Sequence, residues 1–540
     1  KPSSPINQTT HMELIHQVND LLGEVFGNVA GRHVNFIRFL SSIGSHQKLA
    51  LFILFCVYAN DQLSRYVINY LYAEPSNDSY HSISMATNIS SFGYGNVVGF
   101  GFSLSFVFFG AWVARMINHH KPKHMLLFGM ITWCVGTLML SHAVDFGHLM
   151  GSRIILGLGQ AFCAPAAYAL LVHYFPQDEF APLVRCIFGY GSYVGIALSS
   201  LSLLLLEDYG WKSLVEIIYI SGFVLVVLVY FAIDSPPKPP RAKLKKEIRP
   251  VLLTLEDVFL EIRRNNALMV LLFAGCIRFM AEYVLVSFSP LFFLNKFPDQ
   301  KLSFCILNAL IVVFVGGMSS LLGSASPVVL ALDKPGCVRG SCSLLILLVI
   351  CTLLAIPALL LMLLIPSFYG AIFGLFLVHL LTEWWFRPFL FIYLRELSPE
   401  GRNIGLGYLT MTSTLAGSVA ANVIGYFIGR KDDNLHGNVH VPPRNVTVTM
   451  AWATCVIYFL SALLFTIVYI MLVQDEEKLE KRILQQSGMD ESDEEEGEHS
   501  RLLSSNTGDD IGDDEDEGNR CNNEYTEDEE LSTMELEETV

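Results

Sequence analysis

Hydrophobic residues occupy twelve long runs of the chain, separated by shorter polar stretches. A helix needs about 20 apolar residues to cross the hydrocarbon core of a bilayer, and each run is about that long or longer. The pattern therefore predicts an all-α polytopic membrane protein with twelve transmembrane helices, which we call spans 1 to 12. The predicted spans are 48–72, 93–114, 125–145, 149–174, 185–206, 211–232, 267–295, 302–332, 343–365, 368–394, 401–430 and 448–474.

Six charged residues interrupt the apolar pattern near the middle of spans 1, 7 and 10. They form three opposite-charge pairs with i,i+4 spacing: Asp61–Arg65, Arg278–Glu282 and Glu383–Arg387. One charge at the centre of a spanning helix costs roughly 2.5–3.5 kcal/mol, so these side chains should face an interior or a water-filled path. The spacing puts both partners on one helix face, where they can neutralise one another. We interpret them as candidate substrate-binding and proton-coupling residues; the alternative is that they only lock helices together.

The composition excludes several classes of function. The chain is 52% hydrophobic and 16% charged, with a mean hydropathy of +0.45, whereas soluble domains carry about 25% charged residues. It lacks the G-x-x-x-x-G-K-[ST] loop of nucleotide-driven pumps. It shows no nucleophile–base pair and no metal-ligand spacing. We therefore expect no enzyme activity, no cofactor and no metal.

Two independent signals predict the orientation. Basic residues cluster between spans 2 and 3 and between spans 6 and 7, which makes those loops cytoplasmic by the positive-inside rule. Glycosylation sequons begin at Asn77, Asn88 and Asn445, in the opposite set of loops. Both termini are then cytoplasmic. The predicted parts are an N-terminal segment 1–47, a six-helix bundle 48–232, a basic linker 233–266, a second bundle 267–474 and a tail 475–540.

The C-terminal tail differs in charge from the rest of the chain. Residues 475–540 contain 26 of the 51 acidic residues and only 5 of the 35 basic ones, so we expect a disordered acidic tail. Nucleic acid is not an expected partner. The run from Glu498 to Leu502 and Leu503 has the form of an acidic-dileucine signal, read by endosomal and lysosomal sorting adaptors. This favours an endolysosomal membrane, with the plasma membrane as the alternative.

Short motifs near spans 2 and 4 carry a family resemblance. The sequence Gly110-Ala-Trp-Val-Ala114-Arg115 ends span 2, and Arg153-Ile-Ile-Leu-Gly157 lies in span 4. In order and place they resemble the G-x-x-x-D-R and R-x-x-x-G elements of the major facilitator superfamily, with Ala114 in place of the aspartate. The resemblance implies two six-helix halves, a central cavity lined by spans 1, 4, 7 and 10, and a gating motif at Gly110, Arg115, Arg153 and Gly157.

Within that superfamily the chain resembles the Spinster-like lipid transporters. The likeness rests on the run 157–161 in span 4, the Asp234-Ser-Pro-Pro exit from span 6 and the Arg263-Arg-Asn-Asn266 entry to span 7. Those relatives usually have Glu at the position of Gln160 and an Asp-Arg pair where this chain has Ser64-Arg65.

Gln160 is therefore a further candidate site residue, because it cannot exchange a proton as a glutamate would. If the family's glutamate couples transport to protons, coupling in this chain must move to Asp61, Glu282 or Glu383, or be absent.

The sequence thus predicts a secondary active or facilitative transporter that works by alternating access. Its expected substrate is a small amphipathic or anionic organic solute, with a lysolipid as one candidate, and membrane lipids surround it. The alternative is a solute sensor or structural membrane component that keeps the fold without transporting. Ala114 and Gln160 favour that alternative, because both replace acidic residues of the family pattern.

Overall fold

A computed structural model describes residues 43–74, 78–116, 120–176, 181–234, 255–331, 339–429 and 443–504. All regular secondary structure in these residues is helical, and each predicted span is built from one to three helices. In order, the spans are Ser45–Ala73; Ser91–Val98 with Phe100–Met116; Pro122–Ser141; Phe146–Gln160 with Cys163–Tyr174; Ala181–Leu201; Leu203–Ala232; Asn266–Lys296; Lys301–Leu310 with Ile311–Gly316 and Gly317–Ala331; Arg339–Leu364; Phe368–Thr382 with Phe386–Arg395; Arg402–Gly429; and Pro443–Ser504.

Shorter helices connect some of these spans. They are Ile83–Thr87 before span 2, Leu255–Arg264 before span 7, Pro298–Gln300 before span 8 and Pro399–Gly401 before span 11. The helix of span 12 extends through Ser504, beyond the predicted start of the acidic tail.

Ten helices in the described part of the chain are long and apolar enough to cross a membrane. The helices of spans 1 and 5 are not among these ten. Span 1 carries Asn60, Asp61 and Gln62 in its middle, and all three side chains are buried. The two helices pack against each other, with Gly195 of span 5 against the backbone of Ala59. Their polar residues lower the hydropathy, but these side chains face the protein interior instead of lipid.

Side-chain caps fix where several spans begin. Asp145 accepts a hydrogen bond from the backbone N–H of His148 (2.8 Å) at the start of span 4. Asn265 and Ser367 cap spans 7 and 10 in the same way. Such caps satisfy N–H groups that have no partner inside the helix. The hydrogen bonds from His148 also hold the pKa of Asp145 below its usual value.

Three clusters of buried apolar side chains show how the two halves meet. We call the end of the bundle with the start of span 1 and the helix Leu255–Arg264 the linker end, and the opposite end the far end. The cluster at the far end contains residues of both halves, for example Val67 and Phe288. At the linker end one cluster belongs to spans 1–6 and another to spans 7 and 9–12 and the helix before span 7. The halves therefore share a core at the far end and keep separate cores at the linker end.

Candidate functional site

Span 10 breaks in its middle, and Glu383 lies at the break. One helix ends at Thr382 and the next begins at Phe386. Pro388 follows shortly after, and because proline has no N–H it cannot donate to the carbonyl of Trp384 four residues before it. The break therefore comes where Pro388 weakens the helix, and it places a carboxylate inside the bundle.

Glu383 contacts groups from both halves. Its Oε1 lies 3.2 Å from Nδ1 of His379 on the same span. Its Oε2 accepts a hydrogen bond from the hydroxyl of Tyr193 in span 5 (3.2 Å). The side chains of His379 and Glu383 are only 16% and 13% exposed. A proton or a substrate that changes the charge of Glu383 would therefore act directly on a contact between the halves.

Glu282 and Arg278 of span 7 lie beside this break. Glu282 accepts a hydrogen bond from Nε1 of Trp385 (3.0 Å) and is close enough to Glu383 for the two carboxylates to interact electrostatically. The Arg278 guanidinium is fully buried between the rings of Trp385 and Tyr458, at 4.9 and 4.8 Å. It donates a hydrogen bond to the carbonyl of Thr382 (3.2 Å), while its Nε and Nη1 have no hydrogen-bond partner among the described residues.

Asp61 and Gln160 meet where span 1 packs against span 4. Asp61 is 3% exposed; its Oδ2 accepts a hydrogen bond from Gln62 (2.9 Å), and the Cys163 thiol of span 4 also lies against its carboxylate. Gln160 Nε2 donates to the backbone carbonyl of Asp61 (2.7 Å) and to the Ser64 hydroxyl (3.2 Å). The Spinster-like resemblance implies acidic residues at positions 64 and 160. This chain has the neutral residues Ser64 and Gln160 there, and their side chains contact each other.

Two arginines lie near that contact. Arg65 places its guanidinium 4.2 Å from the centre of the Phe102 ring. Arg153 is 2% exposed and donates from Nη1 to the backbone carbonyls of Arg65 (3.2 Å) and Ser64 (3.4 Å). Its Nε and Nη2 have no hydrogen-bond partner in the part of the chain that the structure describes.

The three predicted i,i+4 pairs are not ion pairs in this structure. Within the described residues, no salt bridge of 4.0 Å or less joins the two members of any predicted pair. The arginines of spans 1 and 7 face aromatic rings and backbone carbonyls instead. Arg387 points towards span 5, with Nη2 3.7 Å from the position that a Cβ on Gly189 would take. The direct ion pairs expected within one helix are therefore not formed, because neighbouring spans offer these side chains other partners, although Arg65 still acts electrostatically on Asp61 and Arg278 on Glu282.

The predicted gating motif is divided between several places. A Cβ at Gly157 would meet the carbonyl of Phe102, so this glycine lets spans 2 and 4 approach closely. Gly110 faces Met411 of span 11. Arg115 belongs to the helix that ends span 2, but its side chain is outside the described part.

Contacts at the far end join the two halves. The sequence did not predict them. Lys301 of span 8 forms ion pairs with Glu74 (2.7 Å) and Glu207 (3.4 Å), both from the first half. The Tyr94 hydroxyl donates to the carbonyl of Ser287 (2.7 Å), and the Tyr283 hydroxyl donates to the carbonyl of Val98 (2.6 Å). These contacts hold the bundle closed at that end.

Two of the predicted glycosylation sites lie within the described residues. Asn88 is exposed and follows the short helix Ile83–Thr87, while Asn445 lies near the start of span 12. Asn77 is outside the described residues. The sorting-signal residues Glu498, Leu502 and Leu503 belong to the last helix, and their side chains are outside the description.

Comparisons with known proteins agree with this architecture. A family model described as Major Facilitator Superfamily matches residues 50–421, more than half of the chain. Among solved structures, a bacterial homolog of the human lysosomal transporter Spinster, inward-facing and unoccupied, has a TM-score of 0.66 and 17% identity. The alignment covers 80% of this chain and 99% of that one. The nucleoside transporter NupG has a TM-score of 0.57 and 15% identity, with 78% and 99% coverage.

Curated relatives match over shorter stretches. An uncharacterized transporter of Schizosaccharomyces pombe is 27% identical, over 26% of this chain and 29% of its own length. The D-galactonate transporter of Escherichia coli is 25% identical, over 26% and 31%. The human voltage-gated purine nucleotide uniporter SLC17A9 is 26% identical, over 37% and 49%. The matches thus span less than half the length of each of these relatives.

Proposed function

Because the chain belongs to the major facilitator superfamily, a family of transporters and not of enzymes, we propose that it moves a small organic solute across a membrane by alternating access. The observation that carries the proposal is the shared core at the far end beside separate cores at the linker end. Such a bundle opens at one end while it is closed at the other. The positive-inside rule assigns the linker end to the cytoplasm, so this is an inward-facing arrangement.

The interior supports an anionic or amphipathic substrate, with a lysolipid as one candidate. Arg65, Arg153 and Arg278 lie inside the bundle, and none of them has a carboxylate within ion-pair distance among the described residues. Guanidinium groups bind carboxylate and phosphate groups through paired hydrogen bonds. Aromatic rings beside Arg65 and Arg278 supply apolar surface. The names of two relatives refer to anionic substrates, galactonate and purine nucleotides.

Proton coupling, if the transporter uses it, runs through the carboxylates of spans 1, 7 and 10. Glu383 is the strongest candidate, because it contacts a histidine on its own span and a tyrosine from the other half. Protonation of Glu383 would weaken its contact with His379 and so change how the halves meet. Gln160 offers no ionisable group at the position where the Spinster-like resemblance implies one.

Uptake into proteoliposomes with and without a pH gradient tests both parts of this proposal. We expect a pH gradient to drive uptake of an anionic solute, and Glu383→Gln to abolish that dependence. Glu282→Gln and Asp61→Asn test the other two carboxylates, and Asp208→Asn, at an exposed position, is the control. Unchanged gradient-driven uptake in all three buried variants would refute coupling through these residues. Absence of flux for every tested anion would refute transport itself.

The alternative is a solute sensor that has kept the transporter fold. The neutral contact between Gln160 and Ser64 favours it, since both positions lack the acids that the resemblance implies. Solute binding that raises the unfolding temperature, together with no flux in proteoliposomes, would support the sensor.

We further propose that the protein resides in an endolysosomal membrane and is glycosylated at Asn77, Asn88 and Asn445. The proposed sorting signal is the acidic-dileucine motif with Glu498, Leu502 and Leu503. Replacing both leucines by alanine should move a fluorescent fusion to the plasma membrane. An unchanged endolysosomal location would contradict the use of this signal.

A further inference from the structure

A small cavity lies between the two halves, towards the far end. Its volume is about 10 Å³, which is room for about one water-sized particle. It is lined by residues of spans 1, 2, 4 and 7: Arg65, Tyr66, Asn69, Val98, Phe102, Arg153, Tyr283 and Ser287. Two positively charged side chains thus share the wall of one small space.

Arg153, which lines this space, has hydrogen-bond donors without a partner among the described residues. The residue is 2% exposed, and only its Nη1 is hydrogen-bonded, to two backbone carbonyls of span 1. Its Nε and Nη2 are buried without a partner. A buried charged donor without a partner is costly, so native structures normally supply one.

Other polar groups in the wall cannot neutralise this charge. The Tyr283 hydroxyl donates to the carbonyl of Val98. The Asn69 amide is held by the carbonyl of Val286 and the hydroxyl of Tyr94. The ionisable groups that act electrostatically on Arg153 are two tyrosines and Arg65, and Arg65 carries a charge of the same sign. Arg65 in turn is influenced by Asp61, which forms no ion pair with it of 4.0 Å or less in the described part.

We infer that Arg65 and Arg153 bind a small inorganic anion, of the size of chloride, in the cavity between the halves. An anion there accepts hydrogen bonds from the free Nε and Nη2 of Arg153 and reduces the repulsion between the two guanidinium groups. The small volume of the cavity favours an anion of this size. Because spans 1, 2 and 4 come from one half and span 7 from the other, the bound anion also stabilises closure at the far end.

Equilibrium binding of radioactive chloride to the purified full chain in detergent tests this inference. Gluconate replaces chloride to keep the ionic strength constant. We expect saturable binding and a higher unfolding temperature in chloride than in gluconate. Arg153→Gln and Arg65→Gln should each weaken binding by about tenfold or more, since each removes a charge-assisted donor. Because Arg65 is half-buried, Arg65→Gln should disturb folding less than Arg153→Gln. It therefore tests the inference if Arg153→Gln does not fold.

Arg402→Gln is the matched control. Arg402 is also a buried arginine, 7% exposed, but it donates to the carbonyl of Leu394 at the linker end, outside the cavity. This variant should bind chloride as tightly as the unchanged protein. Binding that is absent, or equal in all variants, would overturn the inference.

Acetate and phosphate distinguish an inorganic anion site from a site for the anionic group of a substrate. If both raise the unfolding temperature through Arg65 and Arg153 while chloride does not, the arginines serve the substrate, and the inference is wrong. The measurement needs no flux, so it stands independently of the proposed transport.

Discussion

At the scale of single residues, the buried arginines are held by aromatic rings and carbonyl groups. Arg278 lies between Trp385 and Tyr458 and donates to the carbonyl of Thr382. A planar guanidinium can stack on two rings at once, whereas an ammonium group cannot.

We therefore expect Arg278→Lys to destabilise the protein by about 1–2 kcal/mol, although it keeps the charge. Thermal unfolding in detergent measures the effect. Tyr458→Phe is the control, because the Tyr458 hydroxyl is buried without a hydrogen-bond partner and its ring face remains. It should be neutral or stabilising. A stability of Arg278→Lys equal to that of the unchanged protein would show that stacking is unimportant here.

The sequence predicted the burial of these charged residues more readily than it predicted their partners. Spans 1, 7 and 10 carry charges where lipid exposure would be costly, and those residues are buried or half-buried in the structure. Their partners come from other spans, as Tyr193 does for Glu383, and one chain cannot show which spans become neighbours. His379 is different: its i−4 spacing from Glu383 was visible in the sequence and could have been noticed.

At the scale of helices, small residues set how closely spans approach. A methyl group at Gly195 would overlap the carbonyl oxygen of Ala59, so spans 1 and 5 need glycine at this contact. At Gly407 in span 11, an added Cβ would meet nothing within 4 Å.

Gly195→Ala should therefore cost about 1–3 kcal/mol through overpacking, while Gly407→Ala should be neutral or add up to about 1 kcal/mol through helix propensity. Unfolding temperatures of the two variants, measured under the same conditions, give the comparison. Equal values would mean that the contact between spans 1 and 5 adjusts without cost.

The break in span 10 leads to a second prediction for helices. Pro388→Ala restores the N–H that can reach the carbonyl of Trp384 and so favours a continuous helix. We expect this variant to be at least as stable as the unchanged protein but slower in transport, because Glu383 would leave its place at the break. Initial uptake rates and unfolding temperatures test this; full transport activity would show that the break is dispensable.

Element positions followed well from the sequence, but irregularities within elements did not. The twelve apolar runs correspond to the twelve helical spans, because hydrophobicity and length determine what can cross a bilayer. The breaks at Gly99 and at 383–385, and the π-helical turn Ile311–Gly316, depend on packing against neighbouring spans. Of these irregularities, only the break at 383–385 could be predicted from the sequence, through Pro388.

At the scale of the whole molecule, the ion pair between Lys301 and Glu74 helps to decide which end is closed. The two side chains are 17% and 9% exposed, so little solvent screens them. Removing one partner of such a pair leaves the other charge desolvated.

Glu74→Gln should therefore weaken closure of the far end by about 3 kcal/mol, roughly a hundredfold in the ratio of closed to open forms. Ser287→Cys, at a buried position of span 7 whose carbonyl accepts from Tyr94 of the first half, should then react faster with a membrane-impermeant maleimide. Glu207→Gln is the control, since Glu207 is 74% exposed and farther from Lys301. Equal labelling rates in both variants would contradict a closing role for the pair.

The two-half architecture was expected from the family resemblance, but the closed end was not predictable. Closure depends on contacts between residues far apart in the chain, such as Lys301 with Glu74 and Tyr94 with Ser287. Neither contact leaves a local pattern in the sequence. Both had to be seen in the assembled bundle.

The division of the apolar core also bears on how the protein is made. The linker-end cluster of spans 1–6 is complete once the ribosome has passed Ile233, so we expect the first half to fold while the second is still being synthesised. The shared far-end cluster needs residues as late as Tyr458. Until span 7 is inserted, the apolar surface around Tyr94 lacks its partner Phe288, and the nascent chain depends on chaperones or lipid to cover it.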